Sequence, residues 1–527
     1  MRNKILLLFI FISSISFAQI KTEEPPRLVV GIKVDGMQTS HIQKLWKYFT
    51  AGGFRKIISE GTILEQMEHP ILSAGNSSDV ATILTGTVPF YHGISGDYYY
   101  DRGDKEIKSM LYDEDQVGIG TREKLSAHNL LTTTLTDELM LSSPQSQVHS
   151  IAINPEDAIM MGGHTATSVT WIDDVQNKWV TSGYYTKGLS RWADQMNVNG
   201  GFRSISSADW TPFSSISSYL NPTASGSKSA SFRFNPLDKG KNSTQSILRN
   251  TPAANSLVAE LAQTIAVKET IGDDKFTDAL MLQFTVKTPN QTTSSLTTAE
   301  QEDMYLRLDR DIQNLMSSLT SRVGSDKVLF FLTGGSEDLH SPVELGNNRI
   351  PAGYFNANRS LSLVNSYLMA IYGQEKWISG YYGKNIFLNK KRMEEKKMNI
   401  PEVLERTAEF LMEFEGIQAA YPINEIINYA GSFIDVRSKY RNSYHKNTSG
   451  DIVITLLPGW VEVDDKNQLV GTANAPRAYI PFYLLGAKIK PQKVNVACQT
   501  IDIAPTLARL LGIPTPNACM GKSLLDD

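Results

Sequence analysis

The sequence predicts an α/β domain with a mostly parallel sheet, on three observations. Short all-apolar runs recur along the chain and alternate with amphipathic stretches long enough for helices. Several of these runs stop at glycine or small polar residues, as Phe330-Phe331-Leu332-Thr333 does at Gly334-Gly335-Ser336. No internal repeat or low-complexity tract interrupts the alternation. In such sheets ligands collect where strands end at their carboxyl edge, so those ends are the places to look for chemistry.

The chain begins with Arg2 and Lys4, an apolar run Ile5–Ile12 and small residues at Ser16-Phe17-Ala18. This is the pattern of a secretory signal over residues 1–18, leaving a chain from Gln19 expected in the periplasm or outside the cell. A polar linker with Pro25-Pro26 follows, then Leu28–Val34 as a first buried strand ending at Asp35-Gly36, with helical material over Ile42–Phe49. Asn76-Ser77-Ser78-Asp79 runs into the apolar segment Val80–Leu84, a good helix start because such side chains cap free backbone N–H groups. Leu130–Leu141 reads as a helix and Val148–Ile153 as a strand.

From about residue 162 to 253 tryptophan, tyrosine, serine and asparagine appear without clear period, which predicts an inserted aromatic-rich cap. Asn255–Val267 reads as a helix, Ala279–Val286 as a buried strand, Thr297–Leu319 as a long helix and Val328–Leu332 as a strand. A second inserted lobe is expected over about 349–465, with a helix Pro401–Glu415 and a strand Ile452–Leu457 inside it. Pro481–Leu485 and Ile503–Leu511 close the domain as strand and helix.

Composition narrows the function. Lys and Arg total 51 against 55 Asp and Glu, a net charge of −4, so no basic field calls for nucleic acid. Beyond the leader no apolar stretch is long enough to span a bilayer. Cys498 and Cys519, the only cysteines, read as one optional disulfide or as two buried thiols.

The order of these stretches resembles the alkaline phosphatase superfamily, in the bacterial phosphate monoesterase branch related to the nucleotide pyrophosphatase/phosphodiesterases. The landmarks run in register over nearly the whole chain: Val30–Met37, Thr82–Gly86 with Pro89 and His92-Gly93-Ile94, Met161–His164, Glu302–Asp309, Gly471-Thr472 and Thr500–Leu507. The resemblance implies a three-layer α/β/α sandwich and a pair of zinc ions held by Asp and His beside a Thr or Ser nucleophile. Position by position, that equipment is missing. Asp35 is kept. Asn76 stands where the nucleophile belongs, with Ser77 and Ser78 as displaced hydroxyls, and Asp79-Val80 replaces an Asn-His pair. Thr288 and Thr292 fall at an Asp and a His position, and Gly335 and Ser336 at an Asp-His pair. The interval 471–479 lacks the last expected His. The phosphate-gripping Lys-x-Arg becomes Asn154-Pro155-Glu156, and the supporting Asn becomes Asp97.

None of the eight histidines falls at a ligand position, and His92 and His164 match turns that serve structure. The expectation is therefore an exported pseudoenzyme with no zinc, a non-catalytic scaffold or subunit that binds a protein partner in the envelope. The aromatic cap is its candidate surface. The alternatives are a metal-free binder of an anionic ligand and a phosphomonoesterase or phosphodiesterase with a rebuilt site. For the rebuilt site, Asp35, Asp79, Asp97, Glu337 and Asp338 are candidate oxygen ligands for Ca²⁺ or Mg²⁺, against a plain solvated acidic patch.

Overall fold

The protein is described here by a computed structural model covering residues 24–72, 75–221, 231–240, 243–289, 298–334, 342–431, 435–466, 470 and 479–525. Its centre is a ten-stranded mixed sheet. Leu28–Asp35 lies in the middle, paired in parallel with Val328–Gly334 on one side and Asp278–Thr285 on the other. Val148–Ala152 and Ser168–Asp173 extend the parallel block. Tyr479–Gly486 and Thr62–Glu68 add antiparallel strands beyond Val328–Gly334, and Lys178–Ser182 adds one at the opposite side.

Every residue of Leu28–Asp35 is buried, because helices cover both faces of the sheet. Alternate side chains serve two separate cores. Val30, Ile32 and Val34 pack with Leu257 and Leu261 of helix Pro252–Lys268 and Leu308 and Ile312 of helix Ala299–Val323. Val29 packs on the other face with Val80 and Leu84 of helix Asn76–Thr85, Ile159 of helix Pro155–Gly162 and Leu507 of helix Ile503–Leu511. Lys33 and Asp35, two residues apart, project to one face together. On this side of the sheet the site is assembled.

The second lobe has its own core. Ile378–Tyr382, Asn385–Leu388, Ile452–Leu456 and Ile417–Pro422 form an antiparallel sheet, covered by helices Ala357–Tyr372 and Ile400–Leu411 through Val364, Leu368, Trp377 and Leu404.

The segment 162–253 differs from the expected cap. It opens with two strands of the main sheet, Ser168–Asp173 and Lys178–Ser182, and Trp171 and Trp179 are fully buried. Both strands are covered on both faces, so the alternation that would have marked them is absent. Beyond them, Trp210 and Tyr219 turn inward onto Asp303 of the long helix, donating from Nε1 at 2.7 Å and from the hydroxyl at 2.5 Å. Their polar tips are satisfied inside the molecule, which is the packing of a cover more than of a free surface. Cys498 and Cys519 are unbonded thiols. No helix among the described residues is long and apolar enough to cross a membrane.

Candidate functional site

The carboxyl ends of the central strands open onto a cavity of about 370 Å³, lined by Asp35, Asn76, Asn154, Gln283, Arg249 and Lys287 among others. Sequence reasoning placed Asp35, Asn76 and Asn154 here, and the fold brings the three together.

Asp35 is fully engaged by its neighbours. Lys33 Nζ lies 2.7 Å from Asp35 Oδ1 and 2.5 Å from Asp157 Oδ1. Asn76 Nδ2 and Gln283 Nε2 each donate to Asp35 Oδ2 at 3.0 Å. Lys33 and Asp157 are 1% and 0% exposed, so this is an internal ion cluster with little water to screen it. One ammonium serves two carboxylates. Burial alone would raise the Asp35 pKa and lower that of Lys33, but the ion pair outweighs it, with Lys287 adding to the effect on Asp35. Asp35 thus stays ionised below the usual carboxylate range and Lys33 stays charged. Burial prevails at Asp157, against Lys33 and helped by the charge of Asp35, pushing it up to about 7.

Asn154 caps helix Pro155–Gly162, accepting from Asp157 N at 2.8 Å and donating to Asp157 Oδ2 at 2.8 Å. It is committed to structure. Glu156 is half-buried, and burial together with the charge of Asp97 pushes it up to about 8. At neutral pH it holds a proton, so the repulsive acid expected there is largely a neutral one.

The start of helix Asn76–Thr85 is closed by Asp97, which accepts from Asn76 N at 3.2 Å and Ser77 N at 2.7 Å. Gly75 makes this approach workable. Its φ of +139° suits glycine, and a Cβ there would strike the Asp97 carboxylate. Asn76 offers an amide where a nucleophile is expected, and an amide is no nucleophile. Ser77 and Ser78 are completely buried, with Ser78 Oγ donating to Gly75 O at 3.0 Å. Among the described residues no histidine is hydrogen-bonded to either. His69 is 3.2 Å from Asp79 and 2.7 Å from Thr500 Oγ1, and His92 is 3.1 Å from Thr82 Oγ1. His164 contacts Thr132 O and Tyr184, a packing role.

Thr288 is buried just beyond strand Asp278–Thr285. Thr292, Gly335, Ser336, Glu337 and Asp338 lie outside the described residues, as does 471–478. Of the acidic cluster considered as a cation site, the described members are separately engaged: Asp35 by Lys33, Asp79 by His69 and Asp97 by backbone N–H groups. Among the described residues no three of His, Cys, Asp and Glu come together so as to hold a metal ion. Among the described residues, the one expected carboxylate, Asp35, is engaged by an ammonium and two amides, and the charges of Lys33 and Lys287 beside it oppose a bound cation.

Lys33, Asp157, Arg249, Gln283 and Lys287 are site residues sequence reasoning missed. A lysine inside Leu28–Val34 and a glutamine inside Ala279–Val286 were the available signals, since polar groups in a buried strand need internal partners.

A mixed sheet clothed by helices, with its cleft at the strand ends beside a helix start, is the framework of alkaline-phosphatase-type hydrolases. The chain belongs to the type I phosphodiesterase / nucleotide pyrophosphatase family, whose profile matches residues 29–475, within the alkaline phosphatase superfamily. It is similar to alkaline phosphatase PafA of Elizabethkingia meningoseptica, 26% identical over 520 residues that cover 95% of this chain and 94% of the relative. It is similar to alkaline phosphatase PhoV of Synechococcus elongatus, 28% identical over 531 residues covering 96% and 94%. A protein of Myroides odoratus named calcium-transporting ATPase is 27% identical over 528 residues covering 97% and 96%. The crystal structure of wild-type PafA superposes with a TM-score of 0.85 at 25% identity, over 95% of this chain and 98% of that one.

Proposed function

We propose that this superfamily member has given up two-metal phosphoryl transfer and acts as an exported, non-catalytic binding protein of the cell envelope. The observation carrying this reading is the Lys33 ammonium 2.7 Å from Asp35, an internal cation beside the one carboxylate expected to ligate zinc. The burial of Ser77 and Ser78 at the start of helix Asn76–Thr85 supports it, since among the described residues neither hydroxyl is exposed or hydrogen-bonded to a histidine. The intact frame around the altered site supports a folded body that is still in use. Its partner is a protein of the same compartment.

Similarity to alkaline phosphatases over 95–96% of the chain favours a second reading, ester hydrolysis at a rebuilt site. One preparation separates the two. Protein purified without chelators is assayed for bound metal and for hydrolysis of an aryl phosphate monoester and diester. The non-catalytic reading expects no stoichiometric transition metal and no turnover above the buffer rate. Two bound metal ions, or turnover lost on replacing Ser77 or Ser78, would establish the hydrolase.

A further inference from the structure

Between the core and the second lobe lies a larger cleft of about 650 Å³, which meets the vestigial site at Asn76, Asp97 and Lys287. Its volume is within the ~300–1,000 Å³ usual for small-molecule sites. Three features set it apart from a chance gap between lobes.

The first is its aromatic wall. Tyr98 and Tyr382 meet edge to face with centroids 6.4 Å apart, and Tyr98 is 45% exposed. Tyr444 is half-buried on the same cleft. The second is a hairpin tip folded inward. Strands Ile378–Tyr382 and Asn385–Leu388 are joined by Gly383 and Lys384 at φ +56° and +65°, the two positive values of a type I′ turn. Asparagine and glycine are favoured at such positions, and a lysine there costs roughly 1–2 kcal/mol. Hairpin tips normally sit in water, yet Lys384 is only 5% exposed and lines the cleft. The third is the mixture of polar groups. Glu462, 7% exposed, lines the cleft with Lys384, and Ser95 and Thr448 join core to lobe through a 2.7 Å hydroxyl contact. Among the described residues the ionisable groups other than tyrosine that line it are Asp97, Glu462 and Asp464 against Lys287 and Lys384, so these carry no cationic excess to draw a phosphate dianion.

A ligand matching these walls has an apolar face for the tyrosines and hydroxyl edges for carboxylate, ammonium and amide groups. We propose that the cleft between core and second lobe binds a neutral oligosaccharide, its sugar rings lying on Tyr98 and Tyr382 and its hydroxyls on Glu462 and Lys384. Aromatic contacts supply the area and charge-assisted hydrogen bonds the orientation. This goes beyond the reading of the vestigial site and does not depend on it.

The test is an array of neutral and anionic oligosaccharides probed with labelled full-length protein, followed by calorimetric titration with a retained sugar. Retention on neutral glycans is expected. Tyr98→Ala and Tyr382→Ala should each weaken binding about tenfold, the scale of one lost aromatic contact. Tyr98 is exposed enough that its variant should keep the wild-type melting temperature. No retained glycan, retention confined to phosphorylated or sulfated glycans, or unchanged binding in both variants would overturn the proposal. Metal content and ester turnover, measured on the same protein, report separately on the vestigial site.

Discussion

The ammonium of Lys33 stands 2.7 Å from the carboxylate of Asp35, on the same face of the central strand, with Lys33 buried and Asp35 at the floor of the cavity. Two residues of one strand thus form an ion pair beneath the cleft, and Asp157 completes it from the neighbouring helix. The arrangement places a covalently attached cation beneath the cleft, between two carboxylates.

Wild-type protein should therefore be indifferent to metals. Overnight dialysis against EDTA, or addition of zinc, should leave its melting temperature unchanged. Asn76→Thr, which returns a hydroxyl to the head of helix Asn76–Thr85, should produce no phosphatase activity with or without zinc. A zinc-dependent rise in melting temperature, or activity in the Asn76→Thr variant, would contradict the charge argument.

Removing Lys33 should be severe. Lys33→Met leaves Asp35 and Asp157 buried without their counterion, and breaking such a cluster typically costs about 3–5 kcal/mol. Urea denaturation of the variant should show that loss. Adding Asp157→Asn to Lys33→Met should recover part of it, because one of the two orphaned charges is then removed.

How much of this was open to a reader of the sequence depends on the range of the interactions. The strand–helix alternation was legible because central strands are apolar throughout, and the helix Ile503–Leu511 falls where the pattern put it. Thr62–Glu68 was not legible: Glu65, Gln66 and Glu68 break the apolar run of a half-covered strand. Asp35 and Asn76 were marked by their places at a strand end and a helix start, and Asn154 by the family resemblance alone. Their partners were not, because the Lys33–Asp157 and Asp35–Gln283 contacts span 124 and 248 residues and arise only from strand order and helix packing. Local periodicity carries no record of such register.

The half-buried acid at the cleft sets a pH dependence. Glu156 in the folded chain is pushed up to about 8 from an ordinary value of 4.5, so the folded state holds a proton that the unfolded state releases. Its contribution to stability is then greatest below pH 4.5 and falls as pH rises towards 8. Glu156→Gln keeps the neutral form at every pH. Its stability should match wild type near pH 5 and exceed it by about 1–3 kcal/mol at pH 9. Parallel urea titrations at the two pH values read the difference directly, and identical slopes of stability against pH would refute the assignment.

The aromatic segment beyond the main sheet should behave as a fixed cover pinned at one point. Asp303 is fully buried and accepts from Trp210 Nε1, Phe213 N and Tyr219 OH, while Arg307 Nε lies 2.6 Å away. Asp303→Ala removes the acceptor for all of them and leaves the indole and phenol donors unsatisfied, at about 1–3 kcal/mol each. The loss should be local, since the helix Ala299–Val323 keeps its apolar face through Leu308, Ile312 and Leu315. Trypsin should then cut at Arg203 and Arg233 faster than in wild type, while the second lobe stays resistant. Unchanged cleavage at both sites would mean that the apolar packing of Trp210 against Phe232 and Phe234 holds the segment without the carboxylate.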